Sequence, residues 1–233
     1  MDVLVVDVGG SQVKMLASSA SEPRTFDSGK GMTPSVLVSE VQARAADWNY
    51  DVISLGYPGS VDARGPRAEP GNLGCGWVRF DFSKAFGKRV RVINDAAMQA
   101  LGGYDGGRML YVGLGTGVGS ALVSEHVIVP LELGCLPYGN DETLFDRLGS
   151  TGLEARGEAA WTMAVKHVLE TLREAFAADY ILLGGGNAHR LHPLPENTRR
   201  GGNEDAFTGG FRLWEEVVEP HDRQSARAWR VVR

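Results

Sequence analysis

The chain has 233 residues, enough for one large domain or two small lobes around a buried core. Hydrophobic residues make up 43% and charged residues 23%, an ordinary balance for a globular protein. The net charge of −5 argues against general nucleic-acid binding, and no apolar run is long enough for a membrane span. The nearest, residues 109–123, is broken by four glycines.

Met1 leads almost directly into an apolar strand with no basic segment ahead of it, so no signal peptide is expected. Cys75 and Cys135 stand far apart and form no metal-spaced pair, and a reduced, cytoplasmic setting is the expected one. The 31 glycines cluster at strand ends, as in folds with many tight turns.

In chain order, the pattern predicts strands over 2–8 and 11–18, a polar stretch over 19–32, a helix over 34–47 and a strand over 51–56. A loop rich in Gly and Pro fills 57–76. A short amphipathic segment at 81–86 precedes a strand at 89–93 and a helix at 95–103. A second hairpin occupies 108–129. Helices are predicted over 141–147 and 151–178, with a break near Gly157. A strand at 179–183 runs into Gly184-Gly185-Gly186-Asn187, and a helix over 204–218 closes the fold. Hairpin openings followed by αβ units predict α/β mixed sheets rather than continuous βαβ winding. The expected organisation is a small N-terminal lobe (1–104), a large lobe (105–203), a helix returning to the first lobe (204–219) and a basic C-terminal tail (220–233).

The two hairpins carry the chemistry. The first runs Val3-Leu4-Val5-Val6-Asp7-Val8-Gly9-Gly10-Ser11-Gln12-Val13-Lys14. Gly9, Gly10 and Ser11 offer N–H and hydroxyl groups to phosphate oxygens without a Cβ in the way. Asp7, at the lip of the turn, has the place of a carboxylate that holds a metal ion or its water against a phosphate. Taken alone, the loop reads more readily as a plain Gly-Gly hairpin, and it is not a P-loop, since no Gly-Lys-Ser/Thr follows four spacer residues. The second hairpin carries Gly115-Thr116-Gly117-Val118-Gly119 and continues as strand through Val123. A dinucleotide fingerprint needs a helix there, so a Rossmann reading fails. Thr116 becomes a phosphate contact from the opposite lobe, and the matching pair of loops suggests an old duplication. Between them, a strand ends in Asn94-Asp95 and opens a helix. By itself Asp95 reads as a helix cap. Between two phosphate loops it reads as the base that accepts a proton from an attacking hydroxyl.

Asp7-Val8-Gly9-Gly10-Ser11, Asn94-Asp95, Gly115-Thr116-Gly117-Val118-Gly119, Glu132-Leu133-Gly134 and Gly184-Gly185-Gly186 occur in one order. In that order they resemble the ROK family of sugar kinases, within the two-lobed actin-like (RNase H-like) superfold, over residues 2–214. Gly56-Tyr57-Pro58-Gly59 and Asn72-Leu73-Gly74-Cys75-Gly76-Trp77 resemble its polyphosphate glucokinase branch. The resemblance implies an interlobe cleft, with transfer of a terminal phosphoryl from ATP or polyphosphate to the 6-hydroxyl of glucose or a related hexose. It implies Asp95 as catalytic base, with Asn94, Glu132 and Asn72 on the sugar hydroxyls. Asp7, Gly9, Gly10 and Ser11 match the first phosphate motif, with Asp7 near magnesium; Gly115, Thr116 and Gly117 match the second. Gly185, Gly186 and Asn187 match the segment near the nucleotide in ATP-using relatives.

Two departures stand out. The family reads Glu-x-Gly-His where this chain has Glu132-Leu133-Gly134-Cys135, a weaker hydrogen-bond partner for sugar. The zinc-binding Cys-x-Cys-Gly-x-x-Gly-Cys segment is absent, so no structural zinc is expected. The departure at Cys135 keeps a second reading open, a catalytically silent sugar-binding or regulatory protein. A sugar-responsive repressor is disfavoured, because the first phosphate strand begins at residue 2 with no helical segment ahead of it. Relatives are often dimers, so a homodimer is compatible; neither nucleic acid nor membrane is an expected partner.

Other features read structurally. His126, His167, His189, His192 and His221 lie in no motif. Lys84, Lys88, Arg89 and Arg91, and Arg199 with Arg200, suit either a track for a polyanionic donor or ordinary solvated faces, the commoner case. Arg223, Arg227, Arg230 and Arg233 punctuate the tail. Trp77, Trp161 and Trp214 read as packing residues, with Trp77 also placed to line a sugar pocket.

Overall fold

A computed structural model describes residues 1–139, 141–202, 204–218 and 226–232. The run Val3-Leu4-Val5-Val6 has no polar residue to turn outward, which suits a strand covered on both faces. It forms β1 (Val3–Val8), buried along nearly its whole length. β2 (Gln12–Ala17) alternates exposed and buried, as a half-covered strand should. β3 (Arg24–Asp27) completes an antiparallel meander. α1 (Pro34–Arg44) starts at Thr33, whose hydroxyl caps the Val36 N–H, with Pro34 in the first turn. It leads to β4 (Val52–Tyr57), parallel to β1. A ribbon of β5 (Val61–Asp62) and β6 (Gly65–Pro66) and the short α2 (Phe82–Phe86) precede β7 (Arg89–Asn94), parallel to β4.

After α3 (Asp95–Gly103) the pattern repeats. β8 (Met109–Leu114), β9 (Val118–Ser124) and β10 (Val127–Leu131) form a second antiparallel meander. A 3-10 turn at Leu133–Cys135, a ribbon of β11 (Pro137–Gly139) and β12 (Glu142–Thr143), and helices α4 (Leu144–Leu148) and α5 (Ser150–Ala175) follow. β13 (Tyr180–Gly184) then pairs parallel to β8, and β14 (Thr198–Arg200) parallel to β13. α6 (Asp205–Arg212), the ribbon β15 (Glu216–Val218) with β16 (Ala226–Ala228), and β17 (Arg230–Val231) beside β10 complete the chain. The sheet orders are β3-β2-β1-β4-β7 and β14-β13-β8-β9-β10-β17. Apart from β17, these are one topology used twice, in line with the mixed sheets and repeated hairpins expected from the sequence.

Three apolar clusters hold the layers together. One lies under α1 and α2, with Leu4, Leu37 and Trp77. One lies between the two sheets around α3 and α6, with Val5, Met98, Tyr111 and Phe207. One lies under α5, with Val112, Trp161 and Leu183. α3 and α6 cross so tightly that a Cβ on Gly209 would overlap the Met98 carbonyl oxygen, and one on Gly102 the Asp205 carbonyl oxygen. Buried Ser54 ties the crossing to the first sheet: it donates to the Gly210 carbonyl at 2.6 Å and accepts from Trp214 Nε1 at 2.9 Å.

Several elements differ from the sequence-based expectation. β3 lies inside the stretch read as polar, because only Phe26 of its four residues is buried, too little for a visible alternation. Arg44 stacks over Phe26, and Arg24 over Trp48. β14, Thr-Arg-Arg, has no apolar residue and exists through its pairing with β13. The last helix ends at Arg212 rather than 218, since the chain turns into β15. The break expected near Gly157 is present, with φ 76° and ψ 162° inside α5. Trp77 does not line a pocket: it is fully buried, with Tyr57 and Phe82 against its ring. Of the expected basic tail, Arg223 and Arg233 lie outside the described residues, as does His221; Arg230 lies on β17.

Candidate active site

Where β7 gives way to α3, the chain places a capping residue and a carboxylate side by side. Asn94, buried, takes the capping role: its Oδ1 accepts the Ala97 N–H at 3.0 Å and its Nδ2 donates to the Gly59 carbonyl at 3.1 Å. The capping alternative for Asp95 is therefore displaced by its neighbour. Asp95 keeps one local hydrogen bond, from the Ala96 N–H to Oδ1 at 2.8 Å. Its pKa is pushed up to about 7, first by burial, then by the negative charges of Asp7 and Glu132, against the Ala96 hydrogen bond. Asp7, on β1 between Lys14 and Gly56 of the adjoining strands, is raised by burial to about 6 despite the pull of Lys14.

The first glycine loop is closed by the Gly9 N–H donating to the Gln12 carbonyl at 3.0 Å, and Ser28 Oγ steadies it on the Gly9 carbonyl at 2.6 Å. A Cβ on Gly10 would stand 3.3 Å from Asn72 Cβ, so the bare backbone lets the 70–73 loop lie against the turn. In the second loop the Gly115 carbonyl accepts from the Ser150 N–H (3.0 Å), Ser150 Oγ (2.9 Å) and Asn187 Nδ2 (3.4 Å). These contacts fix the bend while its hydroxyl residue, Thr116, stays exposed. A Cβ on Gly119 would lie 2.9 Å from the Ala96 Cβ, which brings this loop against the start of α3. Glu132 precedes a turn held by Ser120, whose Oγ donates to Leu131 O (3.0 Å) and accepts from the Leu133 N–H (3.1 Å). Burial raises the Glu132 pKa as well.

A single cleft of about 750 Å³ brings these pieces together. Gly10, Ser11, Asn72, Asn94, Asp95, Gly115, Thr116, Gly117, Glu132 and Gly185 all line it. Asp7, Gly9, Gly186 and Asn187 are not among its lining residues; Gly186 meets His189 Nδ1 through its carbonyl at 2.7 Å, and Asn187 is engaged with Gly115 and Ser150. Cys135 is exposed and outside the lining. None of the described lining residues is Lys, Arg or His. The basic stretches are used elsewhere: Lys88 donates to the Tyr50 carbonyl, Arg91 stacks on Trp214, Arg199 reaches Asp105 and Tyr180, and Arg200 reaches the Ala188 and Leu191 carbonyls. Sequence reasoning passed over Gln99 and Tyr111, which line the cleft and hydrogen-bond each other at 2.6 Å. The available signal for Gln99 was its place four residues after Asp95, on the same helix face.

No protein-family model matches the sequence, and no curated protein is significantly similar to it. Solved structures do match. An inorganic polyphosphate/ATP-glucomannokinase from Arthrobacter sp. strain KM superposes with a TM-score of 0.73 at 22% identity, over 90% of this chain and 96% of that one. The chain has the ROK sugar-kinase fold. A ROK-family glucokinase from Streptomyces griseus, solved with glucose and AMPPNP, gives a TM-score of 0.67 at 13% identity, over 90% and 98%. A ROK-family transcriptional regulator, a homologue of the E. coli MLC protein, gives 0.64 at 16% identity, over 90% and 76%. At these identities the likeness is one of fold, and it agrees with the two-lobed, actin-like α/β class expected for the ROK pattern.

Proposed function

We propose that the protein is a sugar kinase, moving the terminal phosphoryl group of ATP or polyphosphate to the 6-hydroxyl of glucose or a related hexose. The observation that carries this reading is Asp95: a carboxylate held near neutral pKa, at a helix start, between glycine loops from two sheets of one topology. A base of that strength is matched to a hydroxyl proton released late in phosphoryl transfer. Asn94, Glu132 and Asn72 would hold the sugar hydroxyls, each an amide or carboxylate on the lining. Paired polar contacts of this kind discriminate between sugars because the wrong epimer leaves them unsatisfied. Ser11 and Thr116, with the N–H groups of Gly10, Gly117 and Gly185, would receive the phosphates, while the Gly9 and Gly115 N–H groups shape the loops by donating to the Gln12 and Gly117 carbonyls. Asn187 acts through Gly115, whose carbonyl it anchors.

The fit of magnesium rests on Asp7. Burial raises the cost of ionising both Asp7 and Asp95, and the charge of Asp7 adds to that cost at Asp95, which a nearby divalent cation relieves. Magnesium is commonly held by one or two carboxylates plus phosphates and water, so Asp7 suffices as its protein ligand. When bound, it would neutralise charge on the phosphates. In the transfer itself, the sugar O6 bonds to the terminal phosphorus as the bond to the bridging oxygen breaks, the shortened donor leaves with that electron pair, and Asp95 takes the O6 proton. Sugar binding that closes residues 1–104, with the returning helix, upon 105–203 would exclude water and so suppress hydrolysis of the donor.

The active form of Asp95 is the anion, so turnover should rise with pH through an apparent pKa near 7 and then level off. That value belongs to the Asp95–Asp7 pair, since the two interact. An initial-rate profile flat from pH 5 upward would contradict the assignment. The acceptor is tested with 6-deoxyglucose, which should bind and compete with glucose but yield no phosphorylated product with either donor. A phosphorylated 6-deoxyglucose would contradict O6 as the acceptor. Sugar binding with no product from any hexose would turn the reading to a silent sugar-binding protein.

A further inference from the structure

A phosphoryl donor brings several negative charges into a cleft whose described lining includes Asp95 and Glu132 but no Lys, Arg or His. With no cationic side chain on that described lining, those charges fall to neutral hydrogen-bond donors. Gln99 is one of them. It lies one helical turn after Asp95 on α3, facing the same side. Its Oε1 accepts from the Tyr111 hydroxyl at 2.6 Å, and its Nε2 has no hydrogen-bond partner among the described residues. With the carbonyl end of the amide so occupied, both N–H groups are directed away from Tyr111.

The position of Tyr111 tells which part of the cleft they serve. Its ring fits against two glycines: a Cβ on Gly113 would lie 3.0 Å from the hydroxyl oxygen, and one on Gly184 would overlap it. Gly113 leads into the Gly115-Thr116-Gly117 loop, and Gly184 into Gly185. The pair thus sits beside the glycines that lead into the phosphate loop of the second sheet.

We infer that Gln99 binds the phosphoryl donor through its Nε2 hydrogens, and that Tyr111 is the positioning residue that sets the amide's orientation. This rests on the kinase reading and extends it to the donor subsite. A neutral amide suits this position, since a lysine four residues from Asp95 would pair with it and lower its pKa, weakening the base.

The test is calorimetric binding of three probes, glucose, magnesium tripolyphosphate and magnesium AMPPNP, to the parent and three variants. Gln99→Glu replaces donors by a negative charge and should weaken whichever phosphate probe the parent binds by about 30-fold or more. Gln99→Met, similar in volume but without donors, should weaken it about tenfold. Tyr111→Phe keeps the ring in its packing and frees the amide to turn, and should weaken it by about threefold, with the KM for donor rising more than the KM for glucose. Glucose affinity should stay within about twofold in all three, which separates donor binding from misfolding. Unchanged phosphate binding in the Gln99 variants, or a loss confined to glucose, would overturn the inference and leave the kinase reading standing. A parent that binds neither phosphate probe would overturn both.

Discussion

Asp95→Asn is expected to lose turnover by about 10²–10⁴-fold while becoming more heat-stable at pH 8. Both effects follow from one carboxylate. Its pKa rises from 3.8 in the unfolded chain to about 7 in the folded protein, so the folded form binds the proton more tightly. The stability this contributes is whole below about pH 4 and lost as pH climbs through about 7. At pH 8 the folded protein therefore carries a charge that burial and Asp7 both oppose. Asparagine keeps the shape and removes that charge. Allowing for coupling to Asp7, the gain is about 2 kcal/mol. For a chain of this size that is a rise in melting temperature of roughly 4–8 °C. The gain should shrink toward zero when melting is followed near pH 4, because the parent is then protonated. Equal melting of parent and variant across pH 4 to 8 would mean that Asp95 is an ordinary exposed acid. Loss of glucose binding in the variant would mean that its role is structural.

Gly209→Ala should be among the most damaging single methyls in the described structure. The added Cβ meets a backbone carbonyl, Met98 O, which has no rotamer to escape into. Relief requires α6 to move off α3, and Gly102 against Asp205 makes the same crossing equally unforgiving from the other helix. That separation would open the cluster shared by both sheets, with Val5, Met98 and Phe207, and would tilt the helix that carries Asp95. A loss of about 3 kcal/mol or more is expected in a denaturant titration, with reduced turnover in whatever protein remains folded. A variant within about 0.5 kcal/mol of the parent would show that the crossing is looser than described.

The parts of this site that were legible in the sequence are those set by neighbours along the chain. Apolar strands flanking Gly-Gly-Ser and Gly-Thr-Gly, and a strand ending in Asn94-Asp95 before a helix at 95–103, are local patterns that the structure repeats nearly residue for residue. The division of labour at Asn94-Asp95 was half visible: either residue can cap a helix, and only the Gly59 carbonyl, 35 residues away, shows which one is engaged. β3 and β14 were illegible because their register comes from partners already in the sheet rather than from their own side chains. Tyr111 looked like any aromatic in a buried strand, since its hydroxyl finds Gln99 only after α3 packs on β8. Trp77 was drawn toward the sugar loop by its position beside Asn72-Leu73-Gly74, but it packs inward on Tyr57 and Phe82. The raised pKa of Asp95 likewise belongs to the assembled cleft, because its causes are burial and carboxylates from β1 and from the turn after β10.

The most direct measurement is phosphorus NMR of the parent and of Asp95→Asn, each mixed with glucose, magnesium, and either ATP or polyphosphate. The account predicts a sugar 6-phosphate resonance that grows with the parent in at least one donor and stays at background with the variant. A resonance growing at comparable rates in both proteins would contradict Asp95 as the base, and none in either, with other hexoses also tried, would contradict the kinase itself.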